Sequence, residues 1–111
     1  DNTDWLQIHW LYQALYEHEP TPVVALNASV ALANTGALKA AHQHLEALGE
    51  TLSLYQPFHA AMADISRKLG LYTNALDHYQ QAISLSRNTA ETDFLERQQA
   101  KIQDHCPTQE S

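Results

Sequence analysis

One cysteine, three glycines and four prolines are all that this 111-residue chain holds of the residue types that cross-link or interrupt a backbone. Cys106 has no partner, so no disulfide forms within the chain, and a reducing compartment, the cytoplasm, fits. So few Gly and Pro exclude long irregular loops. Basic residues are scarce as well: six Lys and Arg stand against thirteen Asp and Glu, a formal charge of −7 with seven His neutral. Such a surface repels phosphate backbones and cannot build a basic stripe, so no nucleic acid is expected as a partner of this domain alone. Anionic membranes are disfavoured for the same reason. No apolar run approaches the roughly 20 residues that span a bilayer. No signal-peptide pattern opens the chain at Asp1-Asn2-Thr3-Asp4, and with no initiating Met it is expected to be part of something longer.

The apparatus of catalysis is missing too. There is no Gly-rich phosphate loop and no nucleophile elbow. Cys106 has only His105 beside it, an adjacency along the peptide rather than a nucleophile–base pair. His42 and His44 are two residues apart and point to different faces of a helix; no His-x-x-x-His spacing and no cysteine pair occurs. No enzyme activity, metal or cofactor is expected. The sequon Asn27-Ala28-Ser29 lies inside a helical pattern and reads as coincidence.

What is present is helix former: Ala and Leu dominate an apolar content of 44%. Trp5, Ile8, Leu11, Tyr12 and Leu15 recur at helical spacing and predict a helix over 3–18, with Thr3 as its cap, Asp4 in its first turn and Glu19-Pro20-Thr21-Pro22 stopping it. Pro22 opens a second helix to about Thr35, apolar on most sides and so expected to be buried on most sides, with Gly36 as a left-handed terminator. A third covers about 38–48 and is closed by Gly49. After a connector at 51–56, a fourth follows from Pro57 to Leu69 with Gly70 behind it. A fifth covers 72–86, and a sixth, capped by Asn88 or Thr89, runs to about Asp104. The rest, 106–111, reads as a tail.

The strongest pattern is a period. One and the same separation relates Gly36 to Gly70, Ala41 to Ala75, Leu45 to Tyr79, Leu38 to Tyr72, and Ala31 to Ile65. It matches the tetratricopeptide (TPR) period, a helix-turn-helix repeat of about 34 residues. The expected fold class is therefore all-α: a right-handed α-solenoid of about six helices in one domain over 1–105. Its repeats fall at about 22–55 and 56–89, and helices 3–18 and 89–104 cap the ends. Small Ala63, Ala75 and Ala82 let backbones approach, while Tyr72, Tyr79 and Leu85 fill the space between hairpins. In the first copy Ser29 and Ala41 keep the small positions and Leu48 replaces the third. In the last helix Phe94, Leu95 and Ile102 are expected to face inward, and Glu91, Asp93, Glu96, Arg97 and Lys101 to face water.

At Pro22-Val23-Val24-Ala25-Leu26-Asn27 the sequence becomes more specific than a generic repeat. With Asp4-Trp5, Ile8 and Tyr12 before it, and Tyr55, Phe58-His59-Ala60-Ala61, Ala63-Asp64, Leu69-Gly70, the stretch Ala75 to Leu85, Asn88 and Phe94-Leu95 after it, the chain resembles a C-terminal extension of bacterial RNA polymerase sigma factors of the extracytoplasmic-function type. The resemblance covers about Asp4 to Ile102. It departs from the pattern where Ala28 and Met62 stand in place of basic residues. The resemblance implies a non-catalytic regulatory domain of a transcription initiation factor, whose polymerase- and promoter-binding regions would precede Asp1. Its partners would be proteins: its own sigma regions, RNA polymerase or a regulator. A free-standing TPR adaptor and an oligomerisation module are the alternatives, the oligomeric state being monomer or weak dimer.

In a TPR hairpin the first helix lines the concave face, which makes Asn27, Tyr55, His59, Asp64 and Arg67 the candidate interaction surface. An Asn there can bond the backbone of an extended peptide, or a neighbouring carbonyl of its own chain. Asp64 and Arg67, three apart, form a feasible helical ion pair. His59, Asp64 and Arg67 fit better as a polar cluster tying Tyr55 and the connector to the fourth helix.

Overall fold

The computed structural model describes residues 4–103. Among the described residues there are six helices and no strand: α1 Trp5–His18, α2 Pro22–Asn34, α3 Leu38–Glu46, α4 Gln56–Lys68, α5 Tyr72–Leu85 and α6 Thr89–Gln103. None is long and apolar enough to cross a membrane. The chain divides after Ser53 into two compact units. In the first, α1 packs on α2 and α2 on α3; in the second, α4 packs on α5 and α5 on α6.

The helix ends follow from capping chemistry. Thr3 lies outside the described residues, and Asp4, expected inside the first turn, is itself the cap of α1: its carboxylate accepts from the Gln7 N–H at 3.1 Å. Thr21 does the same for α2, accepting from Val24 N–H at 3.2 Å, with Pro22 at the first helical position. At α6 the Asn88 side chain accepts from Glu91 N–H at 2.8 Å. Gly36 and Gly70 have φ of 102° and 81°, which L side chains rarely adopt. Behind α4 the bonds Gly70 N–H to Arg67 carbonyl (3.0 Å) and Leu71 N–H to Ser66 carbonyl (2.8 Å) complete a Schellman motif. Gly49 does not follow this pattern. α3 stops at Glu46, two residues short of expectation, and the chain leaves through turns in which Gly49 has no positive φ. Successive bonds from Leu48 to Leu45, Gly49 to Glu46 and Leu52 to Leu48 carry the backbone there, so a left-handed residue is not needed.

In the second unit Ala63, Ala75, Leu76, Tyr79, Ala82, Leu95 and Ile102 form one buried cluster, with Ala60, Tyr72 and Ile83 at its edge. The three alanines expose nothing, so α4, α5 and α6 meet where side chains end. Leu95 and Ile102 face inward as expected, and the charged residues of α6 face water. Phe94 does not join them: it is exposed, one residue round the helix from Leu95. In the first unit α2 is the interior. Only Val23 and Asn34 of its thirteen residues are exposed.

α1 overturns the expected stripe. Ile8 and Tyr12 are half-buried and His9 is buried, whereas Trp5, Leu11 and Leu15 are exposed. The buried line is centred on His9, flanked by Ile8 and Tyr12; Leu11 and Leu15 point away from α2.

Candidate functional site

The five residues singled out by the sequence fall into different environments. Asn27 is half-buried on α2, in the first unit. The other four belong to the second unit. Tyr55 is the cap residue of α4 and lines a cleft of about 360 Å³ with Leu54, Gln56, Pro57, Leu85, Arg87 and Glu91.

His59 is not a surface residue: only 3% of it is exposed. It meets His78 on α5, with the two Nδ1 atoms 3.0 Å apart. At that contact one Nδ1 donates and the other accepts. The rings stack with centroids 5.2 Å apart, and Phe58 sits edge-on to both. This couple joins the two helices of the α4–α5 hairpin.

Asp64 and Arg67 form the helical ion pair, with Nη2 to Oδ1 at 2.5 Å, and Lys68 adds a second contact to Asp64 at 3.2 Å. Arg67 also bonds the hydroxyl of buried Tyr79, across to α5. The hydrogen bond to Asp64 is the chief reason the guanidinium pKa is raised, so Arg67 stays charged. Burial pushes the Tyr79 phenol up. The Nε of Arg67 is buried and makes no hydrogen bond among the described residues. On its outer side Arg67 lines a cleft of about 310 Å³ with Tyr72, Gln98, Lys101 and Ile102.

Sequence reasoning missed two features. The first is that histidines serve as core residues. His9 donates from Nδ1 to the Ala28 carbonyl at 2.9 Å, and its Nε2 faces the Gln13 amide at 3.4 Å. His42 is buried on α3, its Nδ1 3.7 Å from Glu46. Each occupies the buried stripe of its helix, which the spacing of His42 to Leu38 and Leu45 already indicates. Among the described residues no group of three or more His, Cys, Asp or Glu is placed to hold a metal. His105 and Cys106 lie outside the described residues.

The second is the bare side of α1. Trp10 and Leu11 are each 63% exposed, and Leu6 and Leu15 are exposed beside them. Leu6, Trp10 and Ala14 follow one row at i, i+4, i+8, and Leu11 and Leu15 the next. They give α1 a second apolar face, on the side away from the buried His9.

The chain is 37% identical over 98 residues to an uncharacterized protein of Rhizobium meliloti (strain 1021). The match takes in 88% of this chain and 23% of that protein, so the chain spans about a quarter of the length of the curated relative it matches. No family model and no solved structure matches the chain.

Proposed function

We propose that this chain is a non-catalytic, TPR-like protein-interaction domain that regulates a cytoplasmic RNA polymerase sigma factor of the extracytoplasmic-function type. The observation that carries the interaction reading is the bare side of α1, where Leu6, Trp10, Leu11 and Leu15 face solvent with no partner from the described chain. Exposing such a row is unfavourable by roughly 25 cal/mol per Å² of apolar area, and a docked protein surface removes that cost. The sigma-factor assignment rests on the Pro22 to Asn27 run and the residues that accompany it in order. The matched relative has more than three-quarters of its length outside the match, ample for polymerase- and promoter-binding regions. Gly36 and Gly70, one repeat period apart and both left-handed, support two equivalent hairpins. In this reading the hairpins continue one another as a right-handed α-solenoid, and α1 and α6 cap it.

The test is Trp10→Ala with Leu11→Ala in the full-length factor, read by promoter-specific transcription in vitro and by binding of the isolated domain to the sigma regions. Binding is expected to fall by about tenfold or more, since exposed aromatic anchors carry such contacts. The thermal melt of the domain should stay put because neither side chain is buried. Unchanged binding and transcription would remove the proposal. A wild-type domain whose mass in sedimentation doubles with concentration, and whose double variant stays monomeric, would assign the face to self-association instead.

A further inference from the structure

We infer that the cleft between the ends of α4 and α6 and the start of α5 is a binding site for a carboxylate of an acidic peptide segment. The inference rests on the protein-interaction reading and names the chemistry of the partner at a second place on the domain.

Charge distribution is the first observation. The chain carries six basic residues against thirteen acidic ones. Two of the six, Arg67 and Lys101, line this one cleft of about 310 Å³, and among the described residues no Asp or Glu lines it. A third, Lys68, adjoins Arg67 in sequence. Asp64 is the carboxylate that holds Arg67, and it already serves both Arg67 and Lys68. Among the described residues the lining of the cleft thus carries positive charge alone, on a molecule that is acidic as a whole. Placing like charges together has a cost that an anion in the cleft removes.

The state of Arg67 is the second. Its guanidinium is held from behind by Asp64 and by the Tyr79 hydroxyl, so its plane is fixed rather than waving in solvent. Its Nε–H is buried and makes no hydrogen bond among the described residues. Buried donors are almost always paired, so this Nε–H can gain a partner only if the guanidinium shifts as an anion enters the cleft that Arg67 lines. A carboxylate suits it, because the planar N–H fork matches two oxygens and Lys101 adds a point charge across the cleft.

The walls say what carries the carboxylate. Ile102 is buried at the cleft's base and Tyr72, at the first position of α5, makes an aromatic wall. Gln98 supplies an amide that can both donate to and accept from a peptide group. Apolar base, aromatic wall and amide are wasted on a bare inorganic anion and suit an Asp or Glu beside an aliphatic side chain.

The experiment is a titration of the ¹⁵N-labelled chain with acetyl-Leu-Asp-Glu-Leu-amide, with acetyl-Leu-Asn-Gln-Leu-amide, and with sodium phosphate. The acidic peptide should move the amide signals of Tyr72, Gln98 and Lys101; the Asn/Gln peptide should not. Lys101→Glu, at an exposed position, should weaken binding by about tenfold, and Arg67→Lys, which keeps the charge but loses the fork, by about fivefold. Equal shifts from both peptides, shifts centred elsewhere, or undiminished binding by Lys101→Glu would overturn the inference. So would phosphate matching the acidic peptide in affinity, because the walls would then contribute nothing. Failure here with the Trp10/Leu11 variants still defective leaves the interaction reading standing and removes only this site.

Discussion

The two units use the same hairpin with different closure. In the second, α6 lays Leu95 and Ile102 against α5 and completes a cluster around Ala63, Ala75, Tyr79 and Ala82. In the first, α1 gives α2 one buried side chain, His9, tied by a hydrogen bond to the Ala28 carbonyl. α1 turns Trp10, Leu11 and Leu6 outward. A third helix thus seals one hairpin by apolar burial. The other carries a third helix fastened by a polar bond and left open on its far side. The lesson is that a repeat period fixes the hairpin and says little about its flanking helix, whose apolar residues can serve inward or outward.

Truncating the seal should have the largest effect. Leu95→Ala is expected to lower stability by about 2–5 kcal/mol, the cost of a buried cavity, and a chemical melt of the chain checks it. Hydrogen exchange should show the loss in α5 and α6. Protection falling equally in α1 and α2 would show that the units unfold as one.

Next come the paired alanines. Ala41→Leu and Ala75→Leu stand one sequence period apart, at positions the repeat reading makes equivalent, and both alanines are wholly buried. Each should cost about 1–3 kcal/mol by overpacking. A melt that moves for Ala75→Leu alone would mean the first hairpin can yield where the second cannot, and the equivalence of the copies would be lost.

The glycines sharpen the same comparison. A Cβ at Gly36 or Gly70 meets nothing within 4 Å, so only the positive φ is strained. Gly36→Ala and Gly70→Ala should each cost about 1–2 kcal/mol, and by similar amounts. A gap well above about 1 kcal/mol between them would point to something beyond conformation.

Alkaline pH should separate the units more gently. The folded state holds the Tyr79 phenol above its ordinary value of 10.0, mainly by burial. Above pH 10 the unfolded chain gives up this proton first, so rising pH favours unfolding. Stability is full below that point and falls as pH climbs through the raised folded value. Tyr79→Phe should flatten this decline in a pH series of melts; an unaltered slope would assign the alkaline loss to other groups.

The smallest effect belongs to the open side. Leu11→Ala should change stability by less than about 0.5 kcal/mol, as exposed substitutions do. A larger drop in the melt would show that α1 is covered in solution, and the contrast between the two units would fail.

Much of the fold was legible because its signals are local. Thr21-Pro22, Gly36, Gly70 and Asn88 mark helix ends by chemistry that needs no neighbours. Ala63, Ala75 and Ala82 betray close helix contacts through size alone. What the sequence withheld depends on partners. Trp5, Leu11 and Leu15 have the spacing of a buried stripe, but periodicity cannot say which of two apolar faces meets α2. Phe94 and Leu95 are neighbours on one helix, and hydrophobicity alone does not say which of them the core takes. Of the candidate residues, the Asp64–Arg67 pair follows from spacing. The meeting of His59 with His78, nineteen positions away, exists only after α4 and α5 fold together. Arg67's unmet Nε–H and its cleft with Lys101 are likewise products of tertiary packing.

α2 has a consequence for the life of the chain before it folds. From Pro20 to Leu38 no residue is charged, and most of the segment is Val, Leu and Ala. Once folded, α1 and α3 cover it on nearly every side. While the ribosome is still making α3, that cover is half built, and the segment lies open with only Glu17 and Glu19 before it as deterrents to sticking. Refolding yield should therefore fall with protein concentration, and an added Lys at exposed Asn34 should raise it, without changing the finished fold.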